Sequence, residues 1–214
     1  MRHAETSHAN GERSDVIAYF GYGSLVCRAT HRTEIVAAVP ARLSGWRRQW
    51  RARPDMPGFP AALLTVRREA DGTCDGLLVF DRAENLAAVD AREACYRRVQ
   101  LDMATDLDLL EPAPFDCPAY VYVAEDDIPL HPQPPKILRS YLDAVMLGFL
   151  VEHGEEGLSR FLAQTEGFEV GIHDDRDAPI YPRPVTLADA QRAIFERMLG
   201  EASKSAIESA RIAG

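Results

Sequence analysis

The stretch Asp15–Cys27, DVIAYFGYGSLVC, decides how the rest of the chain is read. Val16 to Tyr22 reads as a strand, because the hydrophobic and aromatic residues through Phe20 have the composition of a strand covered on both faces. Gly21 and Gly23 interrupt that run and lead into a tight Gly23-Ser24 turn. Glycine opens backbone conformations closed to other residues and lets N–H groups approach a small anion. These residues alone leave two readings open: a turn that holds a ligand, or an ordinary strand end with a hydroxyl cap.

Known turn motifs narrow the choice. A dinucleotide fingerprint needs a glycine where Val26 stands, and a phosphate loop needs Gly-Lys-Ser/Thr, which is absent. A nucleophile elbow needs glycines at Tyr22 and Val26, so Ser24 is a poor nucleophile candidate.

Working outward, 214 residues with 46% hydrophobic and 27% charged composition suit a soluble globular chain of one domain, over residues 15–200. Met1–Ser14 reads as a polar, mobile tail and 201–214 as a fraying helical end. No apolar run reaches membrane-spanning length, and the N-terminus lacks the apolar core of a signal peptide. A net charge of −9 argues against nucleic acid and anionic membranes. One basic stretch, RLSGWRRQWRAR at Arg42–Arg53, carries both tryptophans and is read as an amphipathic strand rather than a nucleic-acid surface. Cys27, Cys74, Cys95 and Cys117 are far apart with no Cys-x-x-Cys pair, which suits a reducing cytoplasm and offers no zinc site. The histidines are scattered too, so no metal is expected.

The remaining elements follow from periodicity. Thr33–Ala38 reads as a short helix or irregular segment, Leu43–Ala52 as a strand and 53–60 as a proline-rich loop. Ala61–Arg68 and Cys74–Phe80 read as a hairpin about Asp71-Gly72, and Ala119–Ala124 as a further strand. Asn85–Cys95, Lys136–Glu152 and Glu156–Ala163 have helical spacing, and Thr186 reads as the N-cap of a closing helix. Strands first and helices later make an α+β chain with an antiparallel sheet or barrel.

The second chemical feature is Asp90-Ala91-Arg92-Glu93, with Tyr96 after it. Arg92 and Glu93 read either as solvated helix-surface charges or as a carboxylate placed to act as general base toward a small zwitterion.

Together, Tyr22-Gly23-Ser24-Leu25 and Asp90-x-Arg92-Glu93 resemble the gamma-glutamylcyclotransferase superfamily, most closely its ChaC-like branch. Arg42-Leu43-x-Gly45-Trp46-Arg47-Arg48, Ser140-Tyr141-Leu142-Asp143 and Asp175-Arg176-x-x-Pro179-Ile180-Tyr181-Pro182-Arg183 extend the likeness over most of the chain. Two places depart from that branch: Val26-Cys27, where an apolar residue and Trp are usual, and the loop Arg53–Pro60.

The resemblance implies a small mixed or antiparallel β-barrel flanked by helices, with the ligand at the barrel mouth. It implies that Tyr22, Gly23, Ser24 and Leu25 hold a γ-glutamyl head and that Glu93 is catalytic. Tyr141 and a strand tyrosine, Tyr120 or Tyr122, would line the site. The implied reaction makes 5-oxoproline from a γ-glutamyl compound, glutathione first, with no cofactor or metal. Moving a proton from an α-amine to an ordinary glutamate is uphill by about 5 kcal/mol, so burial of Glu93 is needed to narrow the gap. The alternatives are action on other γ-glutamyl amines or amides and a non-catalytic binding module on the same fold.

Overall fold

The computed structural model of the protein describes residues 15–213, with side chains through residue 202 and at Lys204. The tail expected at Met1–Ser14 lies outside the described residues. β1 (Val16–Gly21) is buried at every position, as its unbroken apolar run requires. With β2 (Ala37–Ala52), β3 (Ala62–Arg82), β4 (Tyr96–Leu101), β5 (Leu107–Leu109) and β6 (Ala119–Ala124) it forms one mixed sheet in the order β4-β6-β1-β3-β2-β5. β1 runs parallel to β6 and antiparallel to the second half of β3, so the turn that follows it emerges from the middle of the sheet.

The expected hairpin about Asp71-Gly72 is not formed. Both Ala62–Arg68 and Thr73–Phe80 pair with β2, and the reversal between β2 and β3 is the proline-rich loop before Ala62. Residues 69–72 swell out of β3 opposite Gly45, between the pairs Ser44↔Thr73 and Trp46↔Arg68. An Asp-Gly pair marks such a bulge as readily as a turn, and the flanking apolar runs prefer to continue along one partner. β2 begins at Ala37, so the segment assigned to helix or irregular chain ends as strand.

The sheet curls. The first half of β3 runs past β1 and reaches back toward β6 and β4, where the Ala124 N–H donates to Thr65 Oγ1 (3.0 Å) and the Tyr96 hydroxyl donates to the Leu64 carbonyl (2.8 Å). The ladders among the described residues leave β4 and β5 as edges, so the expected barrel is not closed by backbone pairing.

Helices cover this sheet. α1 (Leu86–Arg92) delivers the chain to β4, and α2 (Arg139–Gln164) crosses the glycine turn. Gly148 of α2 lies against the Val26–Cys27 backbone; a Cβ there would sit 2.6 Å from the Cys27 nitrogen. Gly154 (φ 65) breaks α2 in two, which matches the two helical stretches read from the sequence. Ile137–Leu138 (β7) pairs with Ile172–His173 (β8), and α3 covers Asp189–Ala213. The cap of α3 falls two residues after Thr186: Gln191 Oε1 accepts from the Ala188 N–H at 2.9 Å. No helix among the described residues is long and apolar enough to cross a membrane.

One core position is an arginine. β2 turns Leu43, Trp46, Arg48 and Trp50 inward, and Arg48 is 1% exposed. Its guanidinium lies between the rings of Phe149 and Phe161, 4.7 and 4.5 Å from their centroids. Nη1 donates to the carbonyls of Tyr22 and Asp75, each at 3.0 Å, and Nε donates to Thr165 Oγ1 at 2.8 Å. Both tryptophans of the basic stretch are buried in the core, as an amphipathic strand requires.

Candidate active site

The turn after β1 is built by close approach. A Cβ on Gly21 would fall 2.7 Å from Leu25 Cβ and 2.9 Å from the Leu25 carbonyl carbon, so only glycine lets the chain fold back at this point. Ser24–Val26 then make a single 3-10 turn, with Val26 N–H donating to the Gly23 carbonyl at 3.0 Å. Among the described residues no protein acceptor takes the N–H groups of Gly23, Ser24 and Leu25. Behind the turn, Arg48 holds the Tyr22 carbonyl and His31 Nε2 hydrogen-bonds the Leu25 carbonyl at 2.8 Å.

A second turn faces it. α1 ends at Arg92, and Tyr96 N–H donates to the Glu93 carbonyl at 3.0 Å. Cys95 takes a left-handed conformation inside this turn (φ 74), which swings the chain from α1 into β4. Glu93 and Tyr96 thereby face the same space as the glycine turn. That space is a pocket of about 330 Å3 with its open mouth included. Tyr22, Gly23, Ser24 and Leu25 line one side, Glu93 and Tyr96 the other, and Phe20, Leu64, Tyr122 and Tyr141 complete it.

The Glu93 side chain is 18% exposed. Burial pushes its carboxyl above the usual carboxylate range, against the opposing pull of Arg92 and Arg183. Arg92 Nε donates to Glu93 Oε1 at 3.1 Å. The same guanidinium donates to the Thr30 carbonyl (2.9 Å), Thr30 Oγ1 (3.2 Å) and Ser24 Oγ (3.4 Å), so Arg92 ties the carboxylate to the glycine turn. Burial also raises the phenols of Tyr22, Tyr96 and Tyr141 far above neutrality, and all three stay protonated at neutral pH. The Tyr22 hydroxyl donates to the Tyr122 carbonyl at 2.5 Å.

Two solved structures share this architecture. A gamma-glutamyl cyclotransferase superposes with a TM-score of 0.53 at 14% identity, over 86% of this chain and 99% of that one. The fold is that of a gamma-glutamyl cyclotransferase. A protein from Homo sapiens, solved as an uncharacterized protein, superposes equally (TM-score 0.53, 13% identity, 86% and 99% covered). A cyclotransferase specific to glutathione from yeast aligns at a TM-score of 0.44 and 14% identity, over 88% of this chain and 97% of that one. No protein-family model and no curated protein matches the chain.

On this cyclotransferase fold, Tyr22, Gly23, Ser24, Leu25, Glu93, Tyr122 and Tyr141 meet around one pocket, and Tyr120 does not. Tyr120 faces the Arg98 guanidinium, 4.9 Å from its ring centroid. Tyr122 touches the pocket, but its hydroxyl donates to Asp90 Oδ1 at 2.6 Å on α1. A further strand tyrosine, Tyr96, also lines the pocket, its hydroxyl donating to the Leu64 carbonyl; it was noted beside Glu93 in the sequence but given no site role. Its signal was its spacing from Glu93, legible only once Cys95 is known to be left-handed.

Proposed function

We propose that the protein is a gamma-glutamylcyclotransferase of the ChaC-like kind, releasing 5-oxoproline from glutathione with Glu93 as general acid and base. The observation that carries this reading is the placement of Glu93. A carboxyl raised by burial faces a glycine turn whose N–H groups at Gly23, Ser24 and Leu25 have no protein acceptor among the described residues.

The chemistry follows from that arrangement. The N–H groups of the turn bind the anionic part of the γ-glutamyl head. Glu93 takes a proton from the substrate α-amine, whose nitrogen attacks the γ-carbonyl carbon and closes the five-membered ring. The bond to the leaving amine then breaks, and Glu93 returns the proton to that nitrogen. No water is consumed. Holding the amine against its own carbonyl is the larger task, and good orientation supplies roughly 7–11 kcal/mol of such a barrier. Tyr22, Tyr96 and Tyr141 wall the pocket with neutral phenols, which keeps a second negative charge away from Glu93.

The test is 5-oxoproline release from glutathione and from γ-glutamyl-alanine. Release of 5-oxoproline with an equal amount of Cys-Gly from glutathione is the expected result. Release from γ-glutamyl-alanine alone moves the protein to another branch, and release from neither overturns the reading.

Gly23→Ala tests the pocket itself. The added Cβ would stand 3.0 Å from the Tyr141 hydroxyl and 3.4 Å from Leu64 Cδ1. The substrate head is then displaced by a fraction of an ångström to an ångström, and kcat/KM for 5-oxoproline release should fall by about 10²-fold. An active Gly23→Ala variant would show that substrate does not use this part of the turn.

A further inference from the structure

Arg183 acts on the Glu93 carboxyl but touches none of the groups assigned above to the substrate. It ends the loop 174–183, which Asp175 pins to the start of α2: its carboxylate accepts from the Ser140 N–H (2.8 Å), the Ser140 hydroxyl (2.5 Å) and the Ile180 N–H (2.9 Å). That anchorage sets Tyr181 against Tyr141, ring centroids 5.0 Å apart, and Tyr141 lines the pocket. Arg183 Nε donates to the Tyr181 hydroxyl at 3.1 Å, and its guanidinium carbon lies 5.3 Å from the Tyr181 ring centroid. The guanidinium is thus held beside the pocket on a fixed scaffold.

Its charge is not neutralised there. Arg176, in the same loop, pairs with Asp143 and Glu196. Among the described residues Arg183 makes no ion pair, and neither of its Nη groups has a hydrogen-bond partner. Arg92 is spent on Glu93, Thr30 and Ser24. Of the two cations that act on Glu93, Arg92 is hydrogen-bonded to that carboxylate and Arg183 is left without a carboxylate partner among the described residues.

The direction of the substrate says what the Arg183 guanidinium meets. A γ-glutamyl head placed against Gly23–Leu25 fills the interior, and the departing nitrogen must pass Glu93 to recover its proton. Whatever hangs from that nitrogen points away from the turn and out of the mouth. Arg183 is outside the pocket lining but close enough to act on Glu93. We infer that Arg183 binds a carboxylate carried by the leaving amine, so that the protein favours γ-glutamyl amino acids and peptides with a free C-terminus over γ-glutamyl amines without one. A planar guanidinium with two free Nη groups matches a carboxylate in two-point geometry.

This inference rests on the cyclotransferase reading, and the experiment separates the two. The rate of 5-oxoproline release is measured with glutathione and with γ-glutamyl-alanine, each beside its C-terminal amide, for wild type, Arg183→Gln and Arg183→Lys. Wild type should favour the free carboxylate by about 10- to 100-fold in kcat/KM. Arg183→Gln should bring the ratio close to one, and Arg183→Lys should restore part of it. A ratio that survives in Arg183→Gln, or a loss that falls on acid and amide alike, overturns the inference. If wild type releases 5-oxoproline from none of these compounds, the cyclotransferase reading fails, and calorimetric binding of each acid and its amide decides about Arg183. Binding that needs both the carboxylate and Arg183 upholds it; equal binding of acid and amide, or binding of neither, overturns it.

Discussion

Glu93→Gln should lower kcat for 5-oxoproline release by about 10²–10⁴-fold, the usual worth of a positioned acid–base group, while raising the melting temperature at neutral pH. Gln keeps the shape and an oxygen that can accept from Arg92 Nε, so the contact to the glycine turn survives and only proton transfer is removed. The stability gain follows from the direction of the Glu93 shift. Burial raises its folded pKa above the unfolded value, despite Arg92 and Arg183. Between those two values the folded protein holds more protons than the unfolded one, so stability falls as pH rises through that window. Gln carries no such penalty. The melting temperatures of wild type and Glu93→Gln should therefore converge below the ordinary carboxylate range, diverge as pH rises through the window, and stay apart by a constant amount above it. A gap that does not vary with pH would refute the raised carboxyl. Kinetics report the same group: kcat/KM should fall on the acid side at a pH above the ordinary carboxylate range, because a protonated Glu93 cannot accept the amine proton.

Arg48→Ala should cost about 3–5 kcal/mol of folding stability, from the cavity it leaves and the carbonyls it orphans. The side chain fills the space between Phe149 and Phe161 and supplies the donors for Tyr22 and Asp75. Arg48→Met separates these contributions. Methionine refills the space and removes a buried cation that faces carbonyls and a hydroxyl rather than a carboxylate, so most of the stability should return. The anchor on the Tyr22 carbonyl is not restored, and the turn after β1 loosens. Denaturant unfolding of Arg48→Met should then sit near wild type while kcat drops with a smaller change in KM. Equal destabilisation by Ala and Met would assign the whole effect to the lost hydrogen bonds.

Much of the site was legible because its parts are short and local. The β1 run, the two glycines after it and Glu93 at the end of a helix each announce themselves within about ten residues. The helical period of α2 was legible over Lys136–Glu152, and the break near Gly154 showed as a gap between two helical stretches. The hairpin of β3 was misread for a matching reason. Asp71-Gly72 is a local turn signal, but both flanks find their partner in β2, and pairing along β2 outweighs a two-residue preference.

Sequence alone determined the elements whose cause is local: a central strand covered on both faces, a turn only glycine can make, amphipathic helices, and a carboxylate close to a tyrosine. Tertiary structure decided which polar groups are buried and what they face. Arg48 looked like one more charge in a basic strand, yet it bonds a carbonyl 26 residues away and a hydroxyl 117 residues away. Tyr120 and Tyr122 are equivalent by strand alternation, and Asp90 and Arg98 separate their surroundings. Burial and charge pairing are properties of groups brought together from distant parts of the chain. No window of sequence contains them.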